Sequence, residues 1–167
     1  MTVKRRKYPA GLTFIEIIIA TVVLVIAVLG TSAFRYSAAL SARKADLQAT
    51  ASRAALLLCE SWRGASEPNT FDAAAYFDAS LAAHFSESDL NIVNTEQGPY
   101  PPDGFTLLDH YKISVDGVSY WATLSWNDVS PGLRALNVAV AWDRRGSVAD
   151  YFGDADKSFK LTTYVAD

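Results

Sequence analysis

A long apolar run close to the N-terminus limits the folds that this chain can adopt. Leu12 to Leu29 is a stretch of 18 residues that is almost entirely apolar. As an α-helix that rises about 1.5 Å per residue, the run is about 27 Å long. That length is close to the roughly 30 Å of hydrocarbon in a bilayer. The run continues through Gly30 to Phe34, so the sequence predicts a transmembrane helix over residues 12–34.

A basic leader precedes this run. Residues 1–11 contain four of the 15 Lys and Arg residues of the chain and no acid. By the positive-inside rule, the leader stays in the cytoplasm and the rest of the chain lies outside. The sequence therefore predicts a single-pass protein of the inner (cytoplasmic) membrane, with a periplasmic or extracellular C-terminal domain.

One acid interrupts the apolar run. Glu16 lies one helical turn after Leu12, and a charged side chain within a membrane costs about 2.5–3.5 kcal/mol on insertion scales. A carboxylate kept at such a position usually has a cationic partner. We therefore treat Glu16 as the first candidate functional residue.

The composition argues against a nucleic-acid-binding surface and excludes an internal disulfide. The chain has 167 residues, of which 50% are hydrophobic, a size that suits one ordinary domain and a membrane segment. Outside the leader, 11 cations face 18 acids, and this acidic balance argues against a nucleic-acid surface. Cys59 is the single cysteine, so no internal disulfide can form, and we expect it to be a buried small hydrophobe.

The helix is expected to continue beyond the membrane as an amphipathic segment over residues 35–64. Apolar side chains recur there at helical spacing, which predicts one buried face. Gly64 and the Pro that follows shortly after it indicate the end of the helix. The apolar positions of this face are Leu40, Leu47, Ala51, Ala54, Leu58 and Trp62.

The remaining chain divides into a connector and a sheet. Residues 65–104 are expected to form an irregular connector with a short helix over about residues 72–85. Residues 105–167 alternate with a period of two and predict about four antiparallel strands, with a tight turn at Asp116-Gly117 and a longer turn over residues 127–132. The predicted fold class is α+β, a long N-terminal helix packed on a C-terminal antiparallel sheet. The four predicted strands are residues 111–115, 118–126, 135–142 and 159–165.

The sequence contains no pattern that indicates catalysis, a cofactor or a metal. His84 and His110 lack a matching acid and nucleophile, so we expect both to be surface or packing residues. Asp150, Asp154 and Asp156 resemble part of a calcium loop, but the EF-hand spacing is absent and a solvated turn is expected. We therefore predict a protein that is not an enzyme and has no cofactor and no metal site.

The segment Gly11-Leu-Thr-Phe-Ile-Glu16, between a basic leader and an apolar helix, resembles the processing site of type IV prepilins and pseudopilins. The resemblance implies a pilin-like fold and cleavage by prepilin peptidase between Gly11 and Leu12. It also implies N-methylation of Leu12 and assembly through the N-terminal helix, with Glu16 pairing to the N-terminus of a subunit.

The resemblance also implies a set of partners. They are prepilin peptidase, other pilins or pseudopilins, an inner-membrane assembly platform, and membrane lipid before assembly; nucleic acid is not expected. After assembly the subunit would lie in a type IV pilus or a type II secretion pseudopilus. The helix lacks Pro and the chain lacks a disulfide, which favours a minor pilin or a pseudopilin over a major subunit.

A looser similarity concerns the C-terminal part of the chain. Trp142–Gly146 and Leu161–Val165 are similar to the ends of minor pilins of the PilV type and of related type II secretion pseudopilins. Two alternatives stay open at this stage. One is a membrane-anchored binding module for DNA uptake or adhesion, with cations such as Arg134, Arg144 and Lys157 gathered on one edge. The other is a plain, uncleaved signal-anchored protein.

Overall fold

A computed structural model describes residues 13–65, 68–81, 91–145 and 152–166 of the chain. The basic leader, Gly11, Leu12, His84 and Asp150 lie outside the described residues. The chain forms two compact units, Met1–Arg43 and Lys44–Asp167.

One long helix, α1, runs over Phe14–Arg63. It contains an 18-residue window that is long and apolar enough to cross a membrane, and none of that window is buried within the chain. The hydroxyls of Thr21, Thr31 and Ser32 donate to carbonyl oxygens four residues earlier, at 2.7–2.9 Å. These bonds satisfy the polar side chains inside the helix itself, which suits a segment surrounded by hydrocarbon.

The part of α1 that belongs to the second unit has one buried face. Leu47, Leu58 and Trp62 are at most 5% exposed, and small side chains fill the positions between them. Leu40, expected on the same face, is 42% exposed and belongs to the first unit. The buried helix residues are Leu47, Ala51, Ala54, Ala55, Leu58, Cys59 and Trp62.

The predicted α+β class is confirmed, with five strands instead of four. The strands pair antiparallel in chain order and pack on the buried face of α1 as a two-layer core. Their bounds are β1 Asn91–Thr95, β2 Thr106–Val115, β3 Val118–Ser130, β4 Leu133–Trp142 and β5 Lys157–Ala166.

The additional strand, β1, falls inside the segment predicted as an irregular connector. It has only five residues, two of them Asn, and Asn is disfavoured in strands. Its pairing with β2, which aligns Asn91 with Ser114 and Thr95 with His110, holds it in the sheet. A long-range partner therefore overrides a weak local preference.

Of the two turns that flank β3, one was predicted correctly and the other was not. The tight turn expected between β2 and β3 is confirmed, and Asp116 and Gly117 have φ of 48° and 72°, the positive values that a type I′ turn requires. The longer turn expected over residues 127–132 is wrong, because β3 continues to Ser130 and Leu133 begins β4. The pairs Asn127 with Ala135 and Asp128 with Arg134 extend this hairpin.

A short helix, α2, follows over Ala73–Leu81, inside the region where one was expected. The carboxylate of Asp72 caps it, accepting the amide of Ala74 at 2.9 Å. The Tyr111 hydroxyl on β2 accepts the amide of Ala73 at 3.1 Å, and burial raises the pKa of Tyr111 to about 12. A neutral phenol thus joins α2 to the sheet.

The sheet face turned away from α1 is also buried at its centre. Trp121 is 1% exposed and contacts the ring of Phe152, edge to face, at 6.2 Å between centroids. Thr123 donates its hydroxyl hydrogen to the carbonyl of Pro99 at 2.7 Å and lies 2.7 Å from Nδ1 of His110. The segment around Pro99 and the short 3-10 helix Phe152–Asp154 therefore lie against this face.

Candidate functional site

The residues that the sequence analysis singles out lie at the start of α1. Of these, the structure describes Glu16, which is exposed in the first turn of the helix. Gly11 and Leu12 lie outside the described residues. The geometry of this site is therefore that of Thr13 to Ile17.

Glu16 and Thr13 form a reciprocal cap at the beginning of α1. The Thr13 amide donates to Oε2 of Glu16 at 2.7 Å, and the Thr13 hydroxyl donates to the same oxygen at 2.9 Å. The amide of Glu16 donates in return to the Thr13 carbonyl at 3.0 Å and to its hydroxyl at 3.4 Å. This capping box gives an acceptor to the Thr13 amide, which has no carbonyl partner within the helix.

The cap leaves half of the Glu16 carboxylate available. Both bonds from Thr13 go to Oε2, and Oε1 has no hydrogen-bond partner within the described part of the chain. A carboxylate can accept several hydrogen bonds, so Oε1 can accept a cation while Oε2 caps the helix. The site is therefore suited to binding an ammonium group.

Thr13 is not among the residues that were predicted to have a role. The spacing Thr-x-x-Glu ahead of an apolar helix is nevertheless the signature of a capping box, so the pattern could have predicted this contact. Glu16 was predicted to pair with a free N-terminus, of its own chain or of a neighbouring one, and that prediction involves no helix cap.

The side chains that flank Glu16 form an uncovered apolar surface. Phe14 is 80% exposed, Ile15 65% and Ile17 52%, and the exposed apolar residues continue to Leu29. Apolar surface on this scale usually marks contact with lipid or with another protein.

The cations of the second unit do not form one continuous edge. Arg134 is 8% exposed, and its Nε lies 2.8 Å from Oδ1 of Asp128. Arg144 and Lys157 line a cleft at the other end of β4, and Lys160 pairs in register with Ala139 on the opposite sheet face. This dispersal does not favour a DNA-binding surface, which needs clustered cations.

The environments of His110, Cys59 and Asp156 indicate structural roles for these residues. His110 is half-buried and hydrogen-bonded to Thr123. Burial lowers the pKa of His110, although the nearby carboxylate of Asp109 acts to raise it. Cys59 is buried, as expected, and burial raises its pKa. Asp156 accepts the amide of Arg144 at 2.9 Å. Within the described ranges, no group of three His, Cys, Asp or Glu side chains could hold a metal ion.

Comparison of the chain with family models, with curated proteins and with solved structures finds no match. Its function must therefore be inferred from its own residues and geometry.

Proposed function

We propose that this protein is a structural subunit, a minor pilin or pseudopilin, of a type IV pilus or type II secretion pseudopilus. Prepilin peptidase cleaves it after Gly11, Leu12 becomes the N-methylated first residue, and α1 mediates assembly. The observation that carries the proposal is the Glu16 carboxylate, whose Oε1 has no hydrogen-bond partner among the described residues, at the start of an exposed apolar helix.

The electrostatics of cleavage support this proposal. Cutting after Gly11 creates an ammonium group at Leu12, at the positive end of the α1 dipole. The ammonium group and the positive end of the helix dipole then lie together at the membrane edge, where an anionic group would stabilise both. Glu16 supplies it, capping its own helix through Oε2 and accepting the ammonium of a neighbouring subunit through Oε1.

The cost of leaving either charge unpaired gives the contact its specificity. Removing one member of an ion pair in apolar surroundings costs several kcal/mol, so a shifted neighbour is disfavoured. Glu16 can thus set the register between subunits. A repeated contact that does not close on itself generates a filament rather than a ring.

The exposed apolar half of α1 supports the same conclusion. Lipid covers it before assembly, with the basic leader in the cytoplasm, and the helices of other subunits cover it afterwards. The partners proposed are prepilin peptidase, an inner-membrane assembly platform and related subunits.

The cleavage step is tested by the intact mass of the protein extracted from cells with an active prepilin peptidase. We expect a chain that begins at Leu12 and carries one methyl group. A chain that still begins at Met1 would contradict the proposal and favour a plain signal anchor.

The assembly step is tested with three variants of the capping box. Glu16→Gln can still accept the Thr13 hydrogen bonds but has no charge, whereas Glu16→Val loses both properties. Thr13→Val removes a hydroxyl and keeps the carboxylate.

We expect all three variants to insert and be cleaved. Glu16→Gln and Glu16→Val should both be depleted from sheared filaments, because each lacks the charge that pairs with the ammonium. Thr13→Val should be recovered close to the wild-type amount. Normal recovery of Glu16→Gln would show that the carboxylate serves only as a cap.

A further inference from the structure

A cleft of about 270 Å³ in the second unit brings three cations together over an apolar base. The base consists of two buried side chains, Leu47 on α1 and Trp142 at the end of β4, which are 5% and 6% exposed. The remaining lining residues are exposed and polar. They are Lys44, Gln48, Arg144 and Lys157.

Of the three cations of this cleft, only Arg144 has an acidic partner among the described residues. Asp156 orients Arg144, accepting its backbone amide at 2.9 Å and lying 3.5 Å from its Nε. Lys44 and Lys157 make no ion pair with any described residue. The cleft is therefore a local positive site on a domain whose overall balance is acidic.

We propose that this cleft, lined by Lys44, Arg144 and Lys157, binds the phosphate-bearing headgroup of an anionic phospholipid. Ammonium and guanidinium groups are suited to a phosphate, and the apolar base suits the glycerol and the first carbons of the acyl chains. Trp beside Lys and Arg is a combination common at membrane surfaces, where an amphipathic ring meets the headgroups.

The apolar base of the cleft favours a lipid over other anions, because only a lipid has carbon chains that can lie against Leu47 and Trp142. Lys44 follows Phe34, the end of the predicted span, by ten residues of sequence. The inference rests on the proposed membrane span and is independent of cleavage and filament assembly.

The test uses the full chain, purified in a nonionic detergent. It is titrated separately with dihexanoyl phosphatidylglycerol, dihexanoyl phosphatidylcholine and inorganic phosphate. Native mass spectrometry then identifies the bound species by mass. We expect phosphatidylglycerol to bind more tightly than either of the other two ligands.

Two substitutions on β5 provide a matched pair. Lys157→Gln and Lys160→Gln each remove one charge from an exposed side chain, but Lys157 pairs with Trp142 at the cleft and Lys160 with Ala139 on the other face. We expect Lys157→Gln, like Lys44→Gln, to weaken phosphatidylglycerol binding about fivefold. Lys160→Gln should leave binding unchanged.

Three results would overturn the proposal. Equal weakening by Lys157→Gln and Lys160→Gln would indicate non-specific attraction between the chain and an anion. Equal binding of phosphatidylcholine would exclude selection of the headgroup charge. Phosphate binding as tightly as the lipid would identify a free-anion site. None of these measurements requires a filament, so failure here leaves the proposed assembly function unaffected.

Discussion

Gly98 packs closely against the sheet face that is turned away from α1. A Cβ atom at this position would lie 2.5 Å from Nδ1 of His110 and 2.6 Å from Oγ1 of Thr123. Those two atoms are themselves joined at 2.7 Å, and Thr123 also donates to Pro99. A single methyl group would therefore displace a connected set of contacts.

We predict that Gly98→Ala destabilises the second unit by about 1–3 kcal/mol, the usual range for overpacking. Denaturant unfolding followed by tryptophan fluorescence measures this change. Gly30→Ala is the control, because a Cβ atom there has no neighbour within 4 Å. If Gly98→Ala unfolds at the wild-type midpoint, this contact does not determine stability.

His110 predicts a pH dependence of stability. Burial lowers its pKa in the folded chain below the ordinary value of 6.5, so the unfolded chain binds more protons in mildly acidic solution. The contribution of His110 is therefore complete above pH 6.5 and is lost as the pH falls below that value. Above pH 6.5 the residue is neutral in both states.

The corresponding measurement compares thermal unfolding at pH 7.5 and pH 5.5. We expect the wild-type midpoint to fall over this interval and that of His110→Gln to fall less, since Gln does not titrate. An identical decrease in both proteins would assign the pH dependence to other groups.

At the scale of elements, Arg134 connects the β3–β4 hairpin to the segment after α1. Its Nε contacts Asp128 at 2.8 Å, its Nη1 donates to Asn69 at 2.6 Å, and its guanidinium lies 4.4 Å from the centroid of the Trp126 ring. Asn69 lies in the short 3-10 helix Pro68–Thr70, and the carbonyl of Pro68 accepts the indole N–H of Trp62 at 2.7 Å. The 3-10 helix thus connects the C-terminal end of α1 to the β3–β4 hairpin.

We expect Arg134→Lys to destabilise the second unit by about 2 kcal/mol, because a compact ammonium cannot make the forked and stacked contacts of a guanidinium. Urea unfolding measures this loss. Arg145→Lys, an exposed position, should change stability by less than about 0.5 kcal/mol. Equal effects of the two substitutions would show that only the general loss of an Arg matters.

At the scale of the whole molecule, the two units differ in what stabilises them. Every core residue of the described chain lies at Leu47 or beyond, whereas the apolar half of α1 contributes none. The second unit has a core of its own, whereas the described part of the first unit contributes no core residue. This division suits the proposed function, in which the first unit would pass from lipid to contact with other subunits.

This division predicts that a fragment beginning at Ser37 folds without detergent. Its thermal midpoint should lie within a few degrees of that of the second unit in the full chain, since no core residue has been removed. Circular dichroism and tryptophan fluorescence would measure it. An unfolded or aggregated fragment would show that the first unit supports the core.

Local sequence patterns were sufficient to predict the apolar helix that could cross a membrane, the extent of α1 and the hairpin at Asp116-Gly117. Each depends on local chemistry: an unbroken apolar run, a helical spacing, or two residues that tolerate positive φ. The Thr13–Glu16 cap belongs with them, because three residues of spacing suffice to define it.

Other features depend on contacts between distant parts of the chain. They are the pairing of β1 with the sheet, the burial of both faces of the central strands, the burial of Arg134, and the cleft that Lys44, Arg144 and Lys157 line. These features join residues that are distant in the chain, and no local pattern specifies which strands pair or which charges meet. Strand pairing and burial lower the free energy of such contacts only after the loop between the residues has closed, and closing it costs conformational entropy.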